Sequence, residues 1–155
     1  MSGLGCGFFL GLLFLYLGCL LYACITDLAT GYVYHFVWWI AWGAGTMMLI
    51  ATWLERGRPE HLGALVFYGL LQEIGFARCY GRADCHAFLS CAIVECAFGM
   101  GWTEYLVQML IAFGALGIVQ ASRRNIDRKG NLKVPVPFLP YITGSFIALY
   151  VIHPT

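Results

Sequence analysis

Apolar runs about as long as a bilayer is thick recur along this chain, and they constrain it more than any other feature. Six follow one another, at about 4–26, 33–53, 61–78, 84–100, 103–121 and 135–152. A helix needs roughly 20 mostly apolar residues to cross about 30 Å of hydrocarbon, and one soluble core in a chain of 155 residues has no use for six such runs. Composition agrees, because 61% of the residues are hydrophobic and only 11% are charged, too few to solvate an ordinary globular surface. The sequence therefore predicts an all-α, polytopic membrane protein with six transmembrane helices, organised as a single integral-membrane domain over residues 1–155. The connections "TDLATGY", "LERGRPEH", "RCYGRAD", "GMGWTE" and "SRRNIDRKGNLKV" are short and polar or glycine-rich, with no room for a soluble domain. The first run lacks the basic start and small-residue cleavage pattern of a signal peptide and is long enough to span, so it reads as helix one. Its glycines at 3, 7 and 11 are spaced to let another helix approach closely. With a net charge of +1, no nucleic-acid partner is expected; the expected surroundings are a lipid bilayer.

Orientation follows from the loop cations, since loops rich in Lys and Arg stay cytoplasmic. The loops after helices one, three and five carry Arg78, Arg82, Arg123, Arg124, Arg128, Lys129 and Lys133, against Arg56 and Arg58 on the other side. This puts both termini outside the cell membrane and the odd-numbered loops in the cytoplasm. Asp27, at the end of helix one, and Asp84, at the start of helix four, then share the cytoplasmic boundary.

Seven cysteines, mostly within spans, read as small apolar residues rather than a disulfide framework. Cys79, Cys85, His86 and Cys91 hold soft metal ligands in one short stretch, but no Cys-x-x-Cys pair exists. Helical geometry puts Cys91 under Asp84 while Cys85 and His86 point elsewhere. No metal or other cofactor is expected. The acids carry more information, because a carboxylate at membrane depth is costly and faces a partner or a cavity. Glu55, Glu60, Glu104 and Asp127 lie in or beside polar loops and read as solvated. Glu73 and Glu95 lie within helices three and four, where a helix-to-helix hydrogen bond or a protonated form is the ordinary explanation. Asp27 and Asp84 each have a plain reading when taken singly, a boundary residue and a helix N-cap. As a pair on one side of so charge-poor a chain, they point to a dyad.

On these residues the sequence resembles the type IV prepilin peptidase family. "ITDLATGYVYHF" resembles its first aspartate motif, "GRADCHAF" its Gly-x-Gly-Asp motif, and "VPFLPYITG" its late Pro-Phe-x-Pro segment. The three stand in the family's order and cover nearly the whole chain. The resemblance implies that Asp27 and Asp84 are the catalytic aspartates of a membrane aspartyl endopeptidase, while Pro137 and Pro140 match the late segment without a chemical role. It also implies a prepilin-like substrate with a short basic leader in the cytoplasm, cleaved after a glycine that precedes an apolar helix. The chain departs from the motifs in three places: Ala83 stands for the second motif glycine, His86 for a common lysine, and "ATGYVYH" lacks an Ile-Pro. Many family members also methylate the new N-terminus through a cytoplasmic segment rich in paired cysteines. About seven residues join helices one and two here, so cleavage without methylation is expected. The alternative from another class is a small transporter, channel or transport accessory protein whose Glu73, Glu95 and Asp84 line a polar path.

Overall fold

A computed structural model of the protein describes residues 3–56, 61–126 and 136–152. Among these residues six α-helices follow one another: α1 Gly3–Thr30, α2 His35–Arg56, α3 Leu62–Leu70, α4 Arg82–Ala97, α5 Trp102–Ile126 and α6 Leu139–Ile152. A π-helical turn, Leu71–Phe76, continues α3 without a break. No strand occurs among the described residues. Arg58, Arg128, Lys129 and Lys133, on which part of the loop cation count rests, lie outside them, as do Glu60 and Asp127.

Three helices are long and apolar enough to cross a membrane, over Gly7–Thr30, His35–Glu55 and Trp102–Ser122. The other three expected runs are also helical, but shorter. Leu62–Phe76 and Leu139–Ile152 are apolar, and α4 has 16 residues. From Cys85 to Ala97, α4 is buried except at His86, Leu89 and Ile93, which are half-buried. Its inward residues are mostly small (Ala87, Ser90, Cys91, Ala92), so neighbouring helices come close. A helix wrapped in protein does not need an apolar circumference, which explains why the most polar of the six lies in the middle.

Close helix contact at a glycine occurs elsewhere than the glycines of α1 suggest. A Cβ added at Gly7 or Gly11 would meet nothing within 4 Å. At Gly45 of α2 it would lie 3.0 Å from Ile93 Cγ2 and 3.2 Å from Val94 Cγ2 of α4. The spacing of small residues marks where a helix is able to approach; the partner's shape decides where it does.

Side-chain contacts fix the helix directions. Tyr16 of α1 lies against Ser90 and Cys91 of α4 and against Phe146 of α6. Near the start of α1, Phe9 meets Phe98, and Phe98 meets Tyr150 of α6. Toward the end of α1, Cys24 Sγ is 3.1 Å from Thr143 Oγ1. Both α4 and α6 thus run antiparallel to α1, and one end of the bundle collects the end of α1 with the starts of α4 and α6.

Candidate active site

At that end, α1 runs further than the sequence suggests. Residues 27–30 are helical, so Asp27 sits in the last turn rather than after it. The helix stops at Gly31, whose φ of +67° is left-handed and suits glycine because no Cβ is present to clash. The Gly31 N–H donates to the Asp27 carbonyl at 2.9 Å, a bond that closes the helix with a left-handed cap. The backbone of Asp27 is thereby fixed while its side chain leans toward α6. The backbone N–H of Leu139 faces its carboxylate. Leu139 is the first residue of α6, where an N–H has no partner within its own helix. Asp27 itself is half-buried, and its Oδ2 is buried without a hydrogen bond.

Asp84 stands in the first turn of α4, two residues later in that helix than its expected first position. Gly81 is the N-cap, with extended backbone, and the Gly81 N–H faces the Asp84 carboxylate. This is the acid's half of a capping box, in which the third helical residue reaches back to the cap. Asp84 is half-buried and close enough to Asp27 for their charges to interact. No hydrogen bond joins the two carboxyls. Each faces a backbone N–H at the start of a helix, an end that favours negative charge.

Beneath the pair lies an aromatic floor. Phe88 and Phe138 are 5.8 Å apart, Phe113 and Phe138 5.0 Å, and Tyr80 and Phe88 5.7 Å between ring centres. Tyr80 donates its hydroxyl hydrogen to Gln72 Oε1. Burial first, with Cys85 and Asp84 nearby, pushes the Tyr80 phenol above its ordinary value, so it remains a donor. The π-helical turn makes this possible by directing Gln72 inward, where it is fully buried, and Glu73 outward.

The remaining polar residues disperse. His86 faces α2 and the π-helical turn, its ring centre 5.0 Å from that of Trp42 and its Nδ1 3.5 Å from Glu73 Oε1. Cys85 Sγ points at the Gln72 carbonyl, Cys91 Sγ accepts from Tyr16, and Cys79 is exposed. No group of three metal-ligating acids, histidines or cysteines forms among the described residues. Glu95 is fully buried, yet neither carboxyl oxygen has a hydrogen-bond partner. Of the two explanations expected for it, a helix-to-helix hydrogen bond or a protonated form, the hydrogen bond is absent. Pro137 and Pro140 frame Phe138 and Leu139, and Pro140 occupies the first turn of α6, where its missing N–H costs little. The Leu139 amide, the Gly31 cap and the Tyr80–Gln72 bond escape a search for functional side chains. Pro140 after an irregular stretch does signal a helix start, and with it a free N–H.

No protein-family model, curated protein or solved structure matches the chain.

Proposed function

We propose that the protein is a six-span membrane aspartyl endopeptidase that removes the basic leader of prepilin-like substrates after a glycine, with Asp27 and Asp84 as its catalytic pair. The observation that carries this reading is the placement of two half-buried carboxyls from α1 and α4 at one end of the bundle, near enough to interact and not bonded to each other. Resemblance of the three motifs to prepilin peptidases supports it independently.

The chemistry follows from the pair. Two neighbouring carboxyls resist being charged together, so one holds a proton while the other is ionised. The ionised carboxylate takes a proton from a water as its oxygen attacks the scissile carbonyl. The protonated partner donates to that carbonyl oxygen, and the amine leaves with a proton returned by the pair. The N–H groups of Gly81 and Leu139 hold the two side chains in place, and the aromatic floor keeps bulk water from the interior. In this reading the loop cations place both termini outside the plasma membrane and the pair at its cytoplasmic face. There water meets a leader while the apolar segment stays in lipid. No metal takes part, and chelators leave the rate unchanged.

The test is incubation of the protein, in membranes, with a peptide carrying a basic leader, a glycine and an apolar helix, followed by mass spectrometry. Cleavage after the glycine is expected, with a rate that falls at low pH when both carboxyls are protonated and at high pH when both are charged. An intact substrate across the pH range contradicts the reading.

The buried Glu95 is the one observation that favours a transport role. Between it and Asp84 on the same helix face stand Phe88 and Cys91, both fully buried, and Glu73 is exposed. That arrangement supports the peptidase reading over a polar path through the three acids.

A further inference from the structure

Two backbone amides face the aspartate pair, and each follows directly on an aromatic residue. Tyr80 precedes Gly81, whose N–H faces the Asp84 carboxylate, and Phe138 precedes Leu139, whose N–H faces that of Asp27. The rings of Tyr80 and Phe138 meet edge to face with their centres 5.9 Å apart. One side-chain contact therefore joins the segment that holds Asp84 to the segment that holds Asp27, although the two are far apart in the sequence.

Both ends of this contact are pinned. The Tyr80 N–H donates to the Phe76 carbonyl at 3.2 Å, and its ring stacks on that of Phe76 with centres 5.7 Å apart and 16° between the planes. Its hydroxyl donates to Gln72 Oε1, and Gln72, fully buried on the π-helical turn, donates from Nε2 to Met109 Sδ of α5 at 3.4 Å. Turning the Tyr80 ring away breaks the first of these bonds and leaves a buried carbonyl oxygen short of a donor, which opposes the movement. Phe138 is buried, its carbonyl accepts from the Ile142 N–H at 3.3 Å, and Pro137 and Pro140 stiffen the backbone on either side of it by fixing their own φ.

The step from these rings to the carboxyls is short. Asp84 leans back over Gly81, where an added Cβ would lie 3.5 Å from Asp84 Oδ2. A displacement of Tyr80 reaches the carboxyl through one residue and its amide, and a displacement of Phe138 reaches Asp27 in the same way. Separation matters to such a pair, because it sets how strongly the second ionisation is resisted and how well both groups reach one water.

We infer that Tyr80 and Phe138 form a spacer that fixes the separation of Asp27 and Asp84, with the Tyr80–Gln72 bond as its lock. Tyr80 is then a positioning residue, acting through the Gly81 amide rather than on the substrate. Its effect on rate rests on the peptidase reading, whereas the spacing is a property of the fold.

Leader cleavage per folded molecule, measured across pH for Tyr80→Phe, tests the spacer, since this variant keeps the ring and removes the lock. Freed carboxyls repel each other and move apart, so kcat is expected to fall about tenfold with KM little changed. Weaker repulsion eases the second ionisation, and the alkaline limb moves down by about 0.3–0.5 pH unit. The other titratable groups that the pair feels are the thiols of Cys24 and Cys85 and the Tyr80 phenol, all of which ordinarily titrate well above carboxyls. Gln72→Leu gives the same loss, and the double variant is scarcely worse than either single one. Phe138→Leu moves the limb in the same direction and decides the matter if Tyr80→Phe does not fold. Phe98→Leu, which loses an aromatic contact at the far end of the bundle, lowers the unfolding midpoint but leaves kcat and both limbs in place. Infrared titration of the carboxyls in detergent, assigned with Asp27→Asn and Asp84→Asn, reads the gap between the two ionisations without substrate. Absence of cleavage by the wild type refutes the peptidase, while the infrared gap still decides the spacer. A wild-type gap or a wild-type pH profile in Tyr80→Phe, or the same limb shift in Phe98→Leu, overturns it.

Discussion

Asp84 and Glu95 lie on one face of α4, eleven residues and so about 16 Å apart along the helix, yet they occupy opposite kinds of surroundings. Asp84 is half-buried, faces a backbone N–H and has a second carboxyl within electrostatic range. Glu95 is fully buried, and neither of its carboxyl oxygens has a hydrogen-bond partner. Helix ends account for much of this contrast. Asp84 stands where α4 begins and free N–H groups favour a negative charge; Glu95 stands in its last turn, where carbonyls disfavour one. Asp27 shows the same physics across two helices, since it closes α1 but turns toward the start of α6. Carboxyls held by amides at a wet end suit proton transfer; a carboxyl sealed inside protein without a partner is costly to charge.

Lengthening an acid by one methylene separates the two regions most sharply. Asp27→Glu and Asp84→Glu keep the charge and displace the carboxyl by about 1 Å, which is expected to lower cleavage by about 10²-fold. Glu73→Gln, at an exposed position, leaves it unchanged. Glu95→Gln lowers thermal stability while cleavage per folded molecule falls less than about tenfold, the sign of a group that supports the fold rather than the reaction. A leader-cleavage assay normalised to folded protein separates these outcomes. A drop of 10²-fold or more in Glu95→Gln erases the distinction between the two ends.

Packing yields a smaller contrast. Gly45→Leu drives a side chain into Ile93 and Val94 and is expected to cost about 1–3 kcal/mol by overpacking. Gly7→Leu and Gly11→Leu, facing open space, leave the unfolding midpoint within error. Equal losses at all three positions contradict the α2–α4 contact. Gly31→Ala forces a Cβ into left-handed backbone at about 1–2 kcal/mol, lowering the midpoint modestly, and Gly31→Asn recovers part of the loss because asparagine tolerates that conformation. Mass spectrometry of the product with a methyl donor present is expected to show no methylation, since only residues 31–34 separate α1 from α2. A methylated product contradicts this.

Much of the helix plan is visible in the sequence because apolar runs and turn residues specify it locally. Each of the six expected runs contains a helix, and Asp27 and Asp84 stand out by scarcity of charge. The boundaries drift where a cap decides them: α1 continues to Thr30 because nothing before Gly31 stops it, and α4 begins at Arg82 because Gly81 opens it. The π-helical turn at Leu71–Phe76 has no signature in residue type, being set by what Gln72 and Glu73 find around them. Gly7 and Gly11 of α1 have the right spacing and no neighbour. That Glu95 is buried without a hydrogen bond is invisible along the chain, because what surrounds it comes from other helices.

The central claim is that Asp27 and Asp84 act as one reactive pair, and the most direct measurement is leader cleavage by Asp27→Asn, Asp84→Asn and the double variant, each shown to be folded in the membrane. Asparagine keeps the shape of aspartate but can neither ionise nor carry the acid's proton, so either substitution removes one half of the pair. The account predicts that each single variant loses on the order of 10⁴-fold or more and that the double variant is scarcely worse than either. Cleavage at the wild-type rate by either single variant, or losses that multiply in the double, would contradict it.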